Sequence, residues 1–97
     1  MTKLIDYQEE NIFRGAKFRC KGAYPYENIV DFLLCDLFGE LGLVVCTGYK
    51  AGLVFCVFPS EALSKDKTTF AIETQWLKEN WHKWGYFECP LEEVLIL

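Results

Sequence analysis

The middle third of this chain is a series of short apolar runs separated by glycine. Residues 29–38 read Ile-Val-Asp-Phe-Leu-Leu-Cys-Asp-Leu-Phe, too short and too rich in β-branched and aromatic residues for a helix. Gly39 and Gly42 then frame an expected turn around Glu40 and Leu41. Residues 43–47 follow, closed by Gly48, and residues 53–58, closed by Pro59. Strands joined by short glycine-containing connections are hairpins, so residues 29–58 are expected to form a three-stranded antiparallel meander. The two later runs are almost wholly apolar, which predicts central strands covered on both faces.

The flanks extend this sheet. Lys17-Phe18-Arg19-Cys20-Lys21 alternates cations and apolar residues with period two, as a half-buried strand at an edge would. A polar stretch over residues 60–69 leads to a short expected strand, Phe70-Ala71-Ile72. Residues 74–84 form the one good helical pattern, with Leu77, Trp81 and Trp84 on one stripe. Thr74 is expected to cap its first turn, and Gly85 to end it in the left-handed region. The closing Val94-Leu95-Ile96-Leu97 is expected to be a last strand tucked into the sheet. The fold class is therefore α+β, a mainly antiparallel sheet with one principal late helix packed on a face. At 97 residues the chain should be a single domain, 1–97, burying roughly 65% of its unfolded surface.

Cysteine usage and motif content bound the chemistry. Cys20, Cys35, Cys46, Cys56 and Cys89 are odd in number, dispersed and mostly flanked by apolar residues. They read as small core hydrophobes in a reducing compartment and not as a disulfide framework. The N-terminus has no secretory h-region, and no apolar run approaches the roughly 20 residues of a membrane span. A cytoplasmic, soluble protein is expected. His82 is the sole histidine and no Cys-x-x-Cys occurs, so no metal site is expected. No nucleophile elbow or dinucleotide motif is present either. The glycine-bracketed Thr47-Gly48-Tyr49-Lys50-Ala51-Gly52 leads into a strand, which makes it a hairpin turn and not a phosphate loop. Glu9/Glu10 and Glu92/Glu93 read as solvated charge. No cofactor and no catalysis are expected. A thiol-dependent enzyme would need one cysteine of depressed pKa.

Charge and aromatics point toward binding. The formal net charge is −4, which disfavours a general polyanion binder. Arg14, Lys17, Arg19 and Lys21, interleaved with Phe13 and Phe18, nevertheless admit two readings. They could track a phosphate backbone with rings for stacking, or guard an edge strand against aggregation. From residue 51 onward four Lys/Arg stand against seven Asp/Glu, an asymmetry suited either to a basic partner or to solubility. Trp76, Trp81, Trp84, Tyr86 and Phe87 crowd twelve residues. Trp81 and Trp84 are expected in the core, leaving Trp76 or Tyr86 exposed as an interface anchor.

Three segments together carry a resemblance. They are Asn11-Ile12-Phe13-Arg14-Gly15-Ala16-Lys17-Phe18-Arg19-Cys20, then Thr47-Gly48-Tyr49-Lys50-Ala51-Gly52-Leu53, then Asn80-Trp81-His82-Lys83-Trp84-Gly85-Tyr86 with Glu88-Cys89-Pro90. This pattern, spread over almost the whole chain, resembles the bacterial immunity protein 45 family of polymorphic toxin systems. The resemblance implies a small cytoplasmic protein that binds and neutralises a cognate toxin domain, with no catalytic motif to carry over. The expected function is stoichiometric occlusion of that toxin domain, which the charge suggests is a basic nuclease. The expected contacts are Glu73, Trp76, Glu79, Tyr86, Glu88, Glu92 and Glu93. The alternative is a small nucleic-acid-binding module built on segment 14–21.

Overall fold

The computed structural model describes residues 1–66 and 68–97. The chain opens with β1 (Thr2–Lys3), a 3-10 turn at Leu4–Asp6, and β2 (Asn11–Ile12). Next come β3 (Lys17–Lys21), β4 (Ile29–Leu37), β5 (Glu40–Val45) and β6 (Val54–Val57). A 3-10 turn at Ser60–Ala62 precedes β7 (Ile72–Glu73), and the helix α1 (Thr74–Trp84) follows directly. A final 3-10 turn at Leu91–Glu93 leads into β8 (Leu95–Ile96). Six strands form one antiparallel sheet in the order β1-β8-β3-β4-β5-β6, while β2 and β7 pair separately. This is the expected α+β class with its late helix, and β4-β5-β6 is the expected meander.

The turns explain the meander's register. Phe38 (φ 56°) and Gly39 (φ 93°) are both left-handed, the two-residue geometry that matches the natural twist of a hairpin. The turn thus falls earlier than expected, because Glu40 and Leu41 already belong to β5. Gly42 lies inside that strand, where a Cβ would come within 2.4 Å of the Cys56 carbonyl oxygen. Between β5 and β6 the register shifts at Leu43/Val44, leaving Phe55 without a direct partner. That bulge turns the Phe55 ring toward Phe32, 4.9 Å away between centroids.

Four local expectations are corrected. Lys17–Lys21 is not an edge strand, because the chain's last strand inserts beside it and β3 ends up between β8 and β4. The expected strand at residues 70–72 forms later, at Ile72–Glu73, where β2 offers it partners. Thr74 does not cap the helix: Glu73 occupies that position, and the buried Thr74 hydroxyl finds no partner among the described residues. The Thr74 N–H instead donates to the Glu10 carbonyl at 2.9 Å. Gly85 is extended (φ −84°, ψ −167°) and not left-handed. Glycine is needed there for space, since a Cβ would sit 2.4 Å from the Trp81 ring.

The core lies on one side of the large sheet. Leu77 and Trp81 of α1 bury against it, with Trp81 5.8 Å from Phe18 and its indole N–H donating to the Cys89 carbonyl at 3.0 Å. Trp84 is only half-buried and packs on Trp76 at the edge of this layer. The Lys78 ammonium ties the helix to the N-terminal segment by donating to the carbonyls of Ile5 (3.0 Å) and Tyr7 (2.9 Å). An eleven-residue helix is roughly 16 Å long, while six strands span roughly 24 Å. One such helix, even with the loops beside it, covers a single face. The expectation of strands covered on both faces is therefore wrong.

Candidate partner-binding surface

The uncovered face of the sheet is built by register. Lys17 stands opposite Leu33, Leu33 opposite Val44, and Val44 opposite Val54, so one cross-strand row runs from a cation through three aliphatics. A second row passes from Leu95 through Arg19 to Asp31, and a third pairs Lys21 with Ile29. Ile29 and Val54 are each 55% exposed, and Leu33 and Val44 are half-buried. Of the aliphatic content that suggested double coverage, Ile29 and Val54 are thus presented to solvent, and Leu33 and Val44 only in part.

In the row beside these aliphatics Arg19 and Asp31 form a two-pronged pair, Nε to Oδ1 and an Nη to Oδ2, both 2.9 Å. Asp31 is 4% exposed and is further enclosed by Cys46, whose N–H donates to its carbonyl at 2.9 Å. The carboxylate pushes the Arg19 guanidinium further up from its usual value, first by hydrogen bonding and then by charge. Arg19 is consequently committed, whereas Lys17 and Lys21 are exposed on the same side of the sheet. At the hairpin end the face meets Phe38, whose side chain is fully exposed despite its left-handed backbone.

The residues expected to contact a partner do not gather into one patch. Glu73 is ion-paired with Lys65 at 3.6 Å and lines a hollow at the helix start together with Glu9 and Glu10. Glu79 accepts a hydrogen bond from Gln75 on the outer side of α1. Glu88 is exposed in the loop after the helix. Glu92 and Glu93 line a depression with Lys3, Arg19 and Lys21, so nearby cations balance their charge. Trp76 is half-buried, with Phe58 6.0 Å and Trp84 6.4 Å from its ring. Tyr86 is 3% exposed, which corrects the expectation of a free anchor. Its hydroxyl accepts a bond from the Ala23 N–H at 2.9 Å, and its ring packs on Tyr26 and Phe32. The exposed aromatic of that segment is its neighbour Phe87.

The family model of immunity protein 45 matches residues 4–96. The chain belongs to that family. No curated protein and no solved structure matches it. Family membership makes it an immunity protein, and nothing in it favours the nucleic-acid alternative. The geometry of segment 14–21 also speaks against that alternative. Phe18 points into the core at 0% exposure, so it cannot stack on a base, and Arg19 is already paired.

The thiols of this immunity protein are all free. Cys20 and Cys89 are buried as expected, while Cys35, Cys46 and Cys56 are only half-buried. Burial pushes Cys56 up to about 11 and raises Cys20 further. Cys46 is raised first by burial and then by Asp31. These three move away from the thiolate state that a cysteine nucleophile requires. Among the described residues, no three His, Cys, Asp or Glu side chains gather as metal ligands, and no helix is long and apolar enough to cross a membrane.

Proposed function

We propose that this immunity protein neutralises a cognate toxin domain by forming an equimolar complex that occludes its working surface, without catalysing a reaction. The supporting observation is the aliphatic sheet face left open beside a fully built core. Contiguous exposed apolar surface of this kind is uncommon on soluble monomers and marks interaction sites. Glu73, Glu79, Glu88 and the adjacent Glu92 and Glu93 occupy separate places on the surface and act as a distributed field. Such a field speeds encounter with a cationic toxin domain, of which a basic nuclease is the leading type. Trp76 contributes only its exposed edge.

The test begins with candidate toxin domains sought among the genes neighbouring this chain's own. Expressed alone, one of them should arrest growth, and co-expression of the immunity protein should restore it. The purified pair should run as an equimolar complex by light scattering, and the recovered toxin should have unchanged mass. Absence of rescue overturns the reading, as does rescue by trace amounts with a covalently altered toxin. Reversal of Glu79 and Glu88 to Lys should slow association roughly tenfold at low salt with little change in dissociation. An unchanged association rate removes the steering role.

A further inference from the structure

Resting on the toxin-binding reading, we infer that the bare sheet face is the docking surface. Its counterpart is a patch of the toxin domain with an apolar centre and carboxylates at one margin. Lys17 forms the free cationic margin, with Lys21 beside it sharing a depression with Glu92 and Glu93; Leu33, Val44 and Val54 form the aliphatic centre, and Phe38 stands at the hairpin tip.

Three observations meet here. First, β8 pairs with β3 at Phe18 and Arg19 and the Leu97 N–H bonds the Lys17 carbonyl, so Lys17 guards no open edge, and only the end of β3 at Lys21 runs past its partner. The placement of Lys17 beside exposed aliphatics gives the face a polarity that a complementary protein surface can read. Second, the centre holds aliphatic side chains and no ring, so it offers a base nothing to stack on. That composition selects a protein over a nucleic acid. A second copy meeting it about a two-fold axis through its centre would set Lys17 against Val54 at the opposite margin, which supplies no carboxylate. Third, Phe38 holds a left-handed backbone that is unfavourable for a bulky side chain, and it buries nothing in return. A large ring kept fully in water at a strained turn is what a docking anchor requires, since burial against the partner supplies its use. The fold itself would be better served by asparagine at that position.

The experiment uses the purified full-length protein and the toxin domain identified by growth arrest and rescue. Binding and dissociation are measured for Lys17→Glu/Lys21→Glu, Val54→Asp and Phe38→Asn. The Glu79→Lys/Glu88→Lys protein serves as the comparison. Each of the first three should weaken binding about 10- to 100-fold, mainly through faster dissociation. Phe38→Asn should do so while raising the thermal midpoint, which separates lost contact from lost folding. Wild-type affinity in all three variants, with the native complex intact, overturns the docking face and leaves toxin binding standing. If the native protein forms no complex, the underlying reading fails instead. Salt-sensitive binding of the native protein to a single-stranded oligonucleotide, abolished by Lys17→Glu/Lys21→Glu, would assign the face to a polyanion. A native dimer that Val54→Asp turns into a monomer would assign it to a second copy. Either result overturns the proposal.

Discussion

The two faces of the six-stranded sheet carry similar numbers of aliphatic side chains and meet opposite fates. On one, Phe18, Val30, Phe32, Leu34, Leu41 and Leu43 are at most 1% exposed beneath α1 and its flanking loops. On the other, Leu33 and Val44 are half-buried and Ile29 and Val54 stand in water. Hydrophobicity alone does not separate them; the supply of covering elements does. The covered face adds aromatic interlocking, with Phe32 touching both Phe55 and Tyr86. The bare face adds charge, in a chain that otherwise keeps its cations scattered. One face therefore holds the fold, and the other is free to recognise a partner.

Substitution should break this symmetry sharply. Trp81→Ala removes the largest ring of the covered face and orphans the Cys89 carbonyl, so it should lower unfolding free energy by about 3–5 kcal/mol. Against a total of about 5–15 kcal/mol, that is enough to leave a substantial unfolded fraction. Val54→Ser on the bare face should change stability by no more than about 0.5 kcal/mol. Urea unfolding of the two variants makes the comparison directly. Equal losses would show that Val54 is packed in solution and that the face is not bare.

Gly85→Ala ranks next. The added methyl would be driven into the Trp81 ring, and relief requires moving the side chain that anchors the helix. A loss of about 1–3 kcal/mol is expected from such overpacking. A negligible loss would mean that the ring of Trp81 has room to shift.

Much of the covered face is legible in the sequence, and the bare face is not. Period-two alternation in residues 17–21 and glycine-bounded apolar runs in residues 29–58 announce β3 to β6. The stripe of Leu77 and Trp81 announces α1. What alternation cannot show is which side is covered when both sides are aliphatic, as in β4 and β5. The available signal is a count: one helix cannot cover two faces. Likewise the central position of β3 depends on β8, which is its neighbour in the sheet but lies seventy-odd residues away in the chain. Nothing local in Lys17–Lys21 encodes that long-range pairing. Tyr86 is illegible for the same reason, because its partner Ala23 lies 63 residues away.

Alkaline pH probes the covered side more gently. The half-buried Cys56 thiol, raised to about 11, and Tyr86, raised first by burial, both resist ionisation in the folded state. An acid whose folded pKa exceeds its unfolded value stabilises fully below the unfolded pKa, near 8.5 for cysteine. That contribution is lost as pH rises through about 11. The urea midpoint should hold steady to about pH 8 and then fall, with Cys56 accounting for at most about 3 kcal/mol. Cys56→Ala should flatten part of the decline. An identical decline in that variant would shift the cause to other groups.

The smallest effect has the opposite sign and bears most directly on the contrast between the faces. Asparagine followed by glycine is the favoured pair for a turn with two left-handed residues, while phenylalanine is disfavoured there. Phe38→Asn should relieve that strain at a position where no packing is lost, since the ring is fully exposed. A gain of about 1 kcal/mol follows, or roughly 4 °C in thermal midpoint for a domain of this size. If the midpoint falls instead, Phe38 contributes packing to the fold and its exposure is not a sign of recognition. If it rises while toxin affinity drops, stability and binding draw on separate residues of one hairpin. The fold would then carry a strained aromatic that only a complex can use.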